Sequence, residues 1–256
     1  MKNKFTILGC GSSLGAPWIT NYWGKLNKKN KKNIRTRCCA HIQYQDISIL
    51  IDTSPDIKEQ IKRNKIKNID AVIYTHEHAD QTVGIFELRP FFWKNKKPIN
   101  IHANKETLKK LRIKYDYCFY GGQGYIPILK SNLIKKKFSI KKKKNKINIK
   151  SFYVNHGQIK STAYIISRLA YISDTNGIDI KDFSKLKNLK YLVIDCLKFN
   201  SHTSHYNFNQ AISISRKIRA KKTILTNLHS DLDYELLKKS LPKNIIPAYD
   251  GMVLNL

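Results

Sequence analysis

The chain has 256 residues, of which 48 are Lys or Arg and 18 are Asp or Glu, so its formal net charge at pH 7 is +30. A hydrophobic fraction of 41% excludes a wholly disordered chain, and a chain of this length buries enough surface to fold without disulfides. No apolar run approaches the ~20 residues of a membrane span, and the N-terminal apolar run stops at Gly9, too early for a signal-peptide core. We therefore expect a cytoplasmic protein that forms a single domain over residues 1–256 and has no membrane partner.

The positive charge has two interpretations. Forty of the 48 basic residues are lysines, whereas phosphate-reading surfaces usually favour the bidentate fork of arginine. This composition favours a solvated lysine surface. The charge is uneven, however, because residues 101–150 alone carry a net +13. RNA therefore stays open as a partner beside a small anionic substrate, and the positive field attracts either one.

The cysteines exclude two common kinds of site. There are five, an odd number, and no two of them form a CxxC pair. Neither a disulfide framework nor a cysteine-rich zinc site fits this spacing. We expect reduced, buried thiols.

The hydrophobic pattern predicts an α/β chain with many short strands first and alternating strands and helices later. A strand at 5–8 ends in a turn of small residues, and a long polar loop occupies 21–37. The pattern leaves 117–145 unassigned. Further strands are predicted at 40–44, 47–51, 70–74, 148–154, 164–166, 170–172, 191–194 and 223–226. Helices are predicted at 56–63, 105–112, 208–219 and 232–239.

Histidine and aspartate side chains follow the predicted strand at 70–74. His76 and His78, two residues apart in an extended turn, direct both imidazoles into one site, and Asp80 adds a hard oxygen ligand. Imidazole together with carboxylate suits zinc, manganese or iron. An HxH pair alone is weak support for a metal site, and a surface turn without a metal is an equally good interpretation of these residues alone.

Three further side chains follow predicted strands in the same way, namely His156, Asp174 and His229. Ends of distant strands meet at one edge of a sheet core, so these side chains are candidates to complete the same site.

This order of motifs resembles the metallo-β-lactamase superfamily of binuclear hydrolases, whose leading motif is HxHxDH. Five other segments resemble the bacterial branch that contains phosphoribosyl cyclic phosphate phosphodiesterase, which is related to the ribonuclease Z group. These segments are Ile7–Ser13, Leu50–Asp56, Glu87–Pro90, Leu225–Tyr234 and Pro247–Gly251. The resemblance covers almost the whole chain and implies a four-layer αββα sandwich with the metals at one end of two packed sheets.

The resemblance also implies a set of ligands for two divalent ions, zinc or manganese. The first ion is assigned to His76, His78 and His156. The second ion is assigned to Asp80 and His229, with Asp174 bridging the two ions.

The catalytic roles implied by the family fall on Asp80 and His205. By this resemblance a hydroxide bridging the metals would attack phosphorus, Asp80 and Asp174 would orient it, and His205 would protonate the leaving oxygen.

Two loops are candidates to hold a remote phosphate of the substrate. Ser12 and Ser13 lie in the turn of small residues, and Arg35 and Arg37 end the long polar loop.

One position departs from the family pattern, because Gln81 stands where the family has a histidine after Asp80. An amide oxygen is neutral and a poorer ligand than imidazole for zinc-like ions, so Gln81 is expected to be at most a weak ligand. The second site is then expected to be weak or to prefer a harder ion such as manganese.

Three functions follow from these observations. The leading one is a metal-dependent phosphodiesterase for a small cyclic phosphate ester such as phosphoribosyl cyclic phosphate. The alternatives are a ribonuclease Z-like RNA endonuclease and, because of Gln81, a degenerate non-catalytic module that binds anions or RNA. With each of these functions the protein could form a homodimer.

Overall fold

Two seven-stranded sheets form the centre of the computed structural model, which describes residues 3–122 and 124–256. The first sheet contains β1 (Lys4–Gly9), β2 (Cys39–Tyr44), β3 (Ile47–Ile51), β4 (Ala71–Ile73), β5 (Ile99–Ala103), β6 (Leu129–Leu133) and β14 (Met252–Asn255). The second contains β7 (Lys137–Lys142), β8 (Asn145–His156), β9 (Ile159–Ile166), β10 (Leu169–Ile172), β11 (Tyr191–Asp195), β12 (Lys222–Thr226) and β13 (Ile245–Pro247). The strand orders are β14-β1-β2-β3-β4-β5-β6 and β13-β12-β11-β10-β9-β8-β7.

Both sheets combine antiparallel and parallel neighbours. The strands from β3 to β6 are parallel to one another, and so are the strands from β10 to β13. The remaining neighbours are antiparallel. The carboxyl ends of parallel strands lie at one edge of a sheet, which is where loops carry functional side chains in open α/β sheets.

Helices cover the outer face of each sheet. Those of the first half are α1 (Ile57–Arg63), α2 (Ala79–Thr82), α3 (Arg89–Asn95), α4 (Lys105–Lys114) and α5 (Asp116–Tyr120). Those of the second half are α6 (Phe208–Ile218) and α7 (Tyr234–Ser240). Short 3₁₀ helices occur at Lys31–Asn33, Val83–Leu88 and Ile180–Leu186. Within residues 3–122 and 124–256, no helix combines the length and the apolar character that crossing a membrane requires.

Three hydrophobic cores separate these layers. On β3, Ile47, Ile49 and Ile51 face the core between the sheets, while Leu50 faces the core under the helices of the first half. On β11, Val193 faces the central core and its neighbours face the outer one. This period of two is what a strand buried on both faces requires, and each such side chain contributes roughly 1.5–3 kcal/mol by leaving water.

Three cores between helices, sheet, sheet and helices make four layers, so the expected α/β four-layer sandwich is confirmed. The central core takes residues from both sheets, which is consistent with one domain, although the single-domain boundary stays a prediction.

The predicted elements agree with the structure where local patterns are strong. The four predicted helices correspond to α1, α4, α6 and α7, and every predicted strand overlaps a strand of the structure. The pattern does not predict β5, β13 and β14, nor the short helices α2, α3 and α5. The unassigned segment 117–145 contains β6, β7 and most of α5, and its residue 123 lies outside the described residues.

The buried carboxylate of Asp250 ties the C-terminal part of the chain to the first sheet. It accepts hydrogen bonds from the backbone nitrogens of Cys10 (3.0 Å) and Thr36 (2.8 Å) and from Thr36 Oγ1 (2.6 Å). Arg63 Nη2 adds an ion pair at 3.0 Å. Asp250 therefore joins three loops that are distant in sequence.

We predict that Asp250→Ala destabilises the fold. Each buried donor that loses its acceptor costs about 1–3 kcal/mol, so the free energy of unfolding should fall by about 3 kcal/mol or more. Urea unfolding followed by circular dichroism measures the change. Asp179→Ala is the control, because this partly exposed aspartate makes only a long contact of 3.9 Å with Lys181 and its loss should cost no more than about 0.5 kcal/mol. Equal effects of the two substitutions would contradict the role of Asp250.

Candidate metal centre

The turn after β4 is held by a buried carboxylate. Asp52, which follows β3 with a φ of 65°, accepts hydrogen bonds from the Thr75 backbone nitrogen (2.8 Å) and from Thr75 Oγ1 (2.9 Å). Thr75 Oγ1 lies 3.0 Å from His76 Nδ1. This contact fixes one ring nitrogen of His76. The other, Nε2, is buried and has no hydrogen-bond partner in the described part of the chain.

His76, His78 and His156 come together at this turn. One ligand nitrogen of each lies within 4.8 Å of the others, and the ring centroids are 4.6–5.0 Å apart. His156 Nδ1 lies 2.8 Å from the Ser204 carbonyl oxygen and donates to it, so its Nε2, which lies 3.2 Å from His78 Nδ1, is the nitrogen with a lone pair directed into the histidine group. A hydrogen bond of this kind on the outer nitrogen is the usual way in which a metal-binding imidazole is oriented.

The three imidazoles have the chemistry of a metal site. Burial lowers the pKa of His76 to about 3, and burial together with the neighbouring His156 lowers the pKa of His78. Both rings are therefore neutral near pH 7, and a neutral imidazole is the form that binds a metal. The unpartnered His76 Nε2 is a buried polar atom that a cation would satisfy. These residues fit a first divalent ion.

Asp174 connects the histidine group to the second half of the chain. It follows β10 and is buried, and it forms a second potential ligand group with His156 and His205, again within 4.8 Å. Asn227 Nδ2 lies 3.3 Å from Asp174 Oδ1. Burial acts to raise the pKa of Asp174, but the neighbouring imidazoles outweigh burial and lower it.

His205 is paired with a buried carboxylate. Its Nδ1 lies 2.7 Å from Asp195 Oδ2, and Asn227 Nδ2 lies 3.0 Å from the same nitrogen. Burial acts to lower the pKa of His205, but Asp195, Asp174 and Asp80 together raise it to about 9. Because Nδ1 faces Asp195, the other nitrogen, Nε2, is the one that remains for a substrate.

The ligand set expected for a second ion stays a prediction. Among the described residues, Asp80, Asp174 and His229 form no group with mutual ligand distances within 4.8 Å. His229 Nδ1 lies 3.2 Å from Asp231 Oδ2, and no hydrogen bond satisfies that nitrogen in the described residues. Gln81 Nε2 lies between the two carboxylates, 3.3 Å from Asp80 Oδ2 and 3.4 Å from Asp174 Oδ2. Burial and the charge of Asp174 raise the pKa of Asp80 to about 6.

Arg35, expected to contact substrate, forms its hydrogen bonds within the protein. This side chain is only 1% exposed, and it donates to the carbonyl oxygens of Leu232 (2.6 Å) and His229 (3.2 Å) and to Asn33 Oδ1 (3.2 Å). This guanidinium holds the loop after β12 in place, although its Nε has no hydrogen-bond partner in the described residues, and its contact with substrate stays a prediction.

The other three candidates for substrate contact occupy different environments. Arg37 is half-buried and its Nη1 lies 3.0 Å from Asp56 Oδ1. Ser12 is buried, its backbone nitrogen lies 3.3 Å from the Leu228 carbonyl oxygen, and its hydroxyl has no hydrogen-bond partner in the described residues. Ser13 is exposed. Their contact with substrate stays a prediction.

Sequence reasoning missed two polar residues of the centre, Asp195 and Asn227. Asp195 ends β11 and Asn227 follows β12, so both lie at the same sheet edge as the predicted ligands. The rule that selected His156 and Asp174, a polar side chain at a strand end, would also have found them.

The fold and the site together define a metal-dependent hydrolase. The family model described as a β-lactamase superfamily domain matches residues 48–227, and the chain belongs to the metallo-β-lactamase superfamily. The expected branch, which includes the PhnP family and ribonuclease Z proteins, is confirmed.

Solved structures resemble the chain over nearly its whole length. A crystal structure described as a new diphosphatase from the PhnP family is 28% identical, with a TM-score of 0.89, and the match covers 100% of this chain and 98% of that one. Human tRNase Z, short form, is 15% identical with a TM-score of 0.70, covering 98% of both chains, and this likeness shows the fold alone.

One curated relative is an octanoyltransferase of Porphyromonas gingivalis. It is 29% identical over 255 residues, which is 96% of this chain and 50% of that protein. The chain therefore spans half the length of this relative, and octanoyl transfer is an activity stated for that longer protein.

We predict that His156→Ala abolishes or severely weakens binding of the first metal ion, because it removes one of three imidazole ligands. Titration calorimetry with zinc or manganese measures the loss. His102→Ala is the matched control, since His102 is another imidazole whose pKa burial lowers, to about 4, and it stacks on Phe138 (centroids 5.8 Å apart) rather than on the histidine group. Unchanged binding by His156→Ala would remove this residue from the site.

Proposed function

We propose that the protein is a metal-dependent phosphodiesterase that hydrolyses a small phosphate ester, with a cyclic ester such as phosphoribosyl cyclic phosphate as the specific candidate. The observation that carries the proposal is that three imidazoles meet an Asp–His pair at one edge of the sandwich. A likeness to a protein described as a diphosphatase supports a reaction at phosphorus.

A divalent ion bound by the three imidazoles supplies Lewis-acid chemistry and lowers the pKa of water that binds it. The chain itself supplies the proton transfer. Asp195 holds Nδ1 of His205 in the donor role, so that Nε2 can carry a proton to a leaving oxygen. The Asn227 amide lies between Asp174 and Asp195, where it keeps both carboxylates in fixed orientations.

Charge supports an anionic substrate. The net charge of +30 raises the local concentration of phosphate esters around the protein. RNA is also an anion, but the ribonuclease likeness lies in structures of 15–16% identity, which carry the fold and not the substrate. RNA binding, a homodimer, the cytoplasmic location and the choice between zinc and manganese stay predictions.

We expect the protein, reconstituted with manganese or zinc, to hydrolyse bis(4-nitrophenyl) phosphate and to leave a β-lactam such as nitrocefin intact. Release of nitrophenolate measures the first activity and the colour change of nitrocefin the second. The same preparation with a 3′-extended transfer RNA tests the ribonuclease alternative. A folded, metal-loaded protein that cleaves no phosphodiester would overturn the proposal and favour the non-catalytic module.

We predict that His205→Ala slows hydrolysis of an alkyl phosphodiester by about 10²–10⁴-fold, the usual contribution of a general acid. The loss should be much smaller for bis(4-nitrophenyl) phosphate, because nitrophenolate leaves without a proton. Bound metal, measured by mass spectrometry, should stay constant.

His202→Ala is the matched control for this experiment, because His202 is exposed and its ring centroid lies 5.1 Å from that of His205. This control should behave as wild type. A loss of metal in His205→Ala, or an equal loss of rate for both substrates, would show that His205 is a ligand rather than an acid.

A further inference from the structure

Gln81 occupies the position between the two carboxylates of the centre. Its side chain is fully buried, and its amide nitrogen lies 3.3 Å from Asp80 Oδ2 and 3.4 Å from Asp174 Oδ2. Its backbone is held as well, because the nitrogen donates to the His78 carbonyl oxygen (3.1 Å) and the carbonyl accepts from the Thr53 nitrogen (2.8 Å). The backbone of Gln81 is therefore fixed relative to the turn after β4, and its buried side chain lies next to both carboxylates.

The chemistry of an amide sets its orientation here. The NH₂ group of glutamine has two donors, and each can face one carboxylate. The opposite orientation would place the lone pairs of Oε1 against two anions, which is repulsive. Both contacts are long for hydrogen bonds to a carboxylate, and Gln81 Oε1 is buried without a hydrogen-bond partner in the described residues. The amide donors nevertheless face both carboxylates and so reduce the repulsion between Asp80 and Asp174.

A second metal ion would have to compete with this arrangement. An ion between Asp80 and Asp174 must break both contacts of the amide and turn it, so that the neutral oxygen faces the cation. That oxygen is a poorer ligand than the imidazole of the family pattern. The remaining ligand of the pattern, His229, has its Nδ1 3.2 Å from Asp231 Oδ2, and its ring makes an edge contact with Trp18, with centroids 5.8 Å apart. The residues present do not fit a second ion.

We propose that this protein holds one metal ion, at His76, His78 and His156, and that the amide of Gln81 takes the place of the second ion by joining Asp80 to Asp174. The proposal rests on the metal binding in the proposed function, but it does not depend on the substrate. It makes Gln81 the residue that sets the number of metal ions in the centre.

The test counts ions rather than activity. Protein loaded with excess manganese and desalted should contain one ion per chain by mass spectrometry, and its electron paramagnetic resonance spectrum should be the six-line signal of isolated manganese. Gln81→His restores an imidazole donor and removes the amide bridge. It should contain two ions per chain, a doubling of the wild-type count, with an exchange-coupled spectrum.

Two further variants control the experiment. Gln158→His adds a histidine at an exposed position outside the carboxylate pair and should keep one ion. Gln81→Glu, close in size to glutamine, places a third carboxylate beside Asp80 and Asp174 and should also take up a second ion, so it carries the test if Gln81→His does not fold.

The outcomes separate this inference from the proposed function. Two coupled ions in the wild type would overturn the single-ion centre alone and leave the phosphodiesterase proposal standing. One ion in the wild type and also in folded Gln81→His and Gln81→Glu would show that the amide does not set the count. A wild type that retains no ion after loading would overturn the metal-dependent function itself.

Discussion

Buried negative charge is the constraint on which the centre depends. Asp174 and Asp195 are buried and Asp80 is half-buried, and removing a carboxylate from water costs several kcal/mol unless a partner compensates. Each carboxylate has its own compensation: Asp195 has His205, Asp174 has the surrounding imidazoles and the amide of Asn227, and Asp80 has the amide of Gln81. The geometry of the site follows from these pairings.

The sandwich makes these pairings possible because it brings strand ends from both halves of the chain to one edge. Loops at such an edge need support of their own, and buried polar groups supply it. Asp52 holds the turn that carries His76, while the guanidinium of Arg35 holds the loop that carries His229 through its carbonyl oxygens. The Arg35 side chain thus stabilises a loop of the sandwich, and this loop in turn sets the position of His229.

The sequence predicts the centre well and its surroundings poorly, for physical reasons. His76 and His156 are recognisable because each lies at or just beyond the end of a strand and an imidazole is a specific metal ligand. Strand β14 is not recognisable, because it pairs with β1 from the opposite end of the chain and its local pattern is short. The same limit explains Arg35: a sequence shows its charge, but not the carbonyl oxygens of Leu232 and His229 that the fold places around it.

Charge balance also links the centre to the composition of the whole chain. The Asp195–His205 pair with one shared proton is neutral wherever that proton lies, and one divalent ion offsets the charges of Asp80 and Asp174. A single-ion centre is therefore formally neutral, whereas a binuclear one would attract a phosphodiester by its own positive charge. A neutral centre leaves the attraction of the substrate to the rest of the protein, and the excess of lysines supplies a field of the required sign. The loss of a metal-binding imidazole at Gln81 and the strongly basic surface are in this sense complementary properties of one chain.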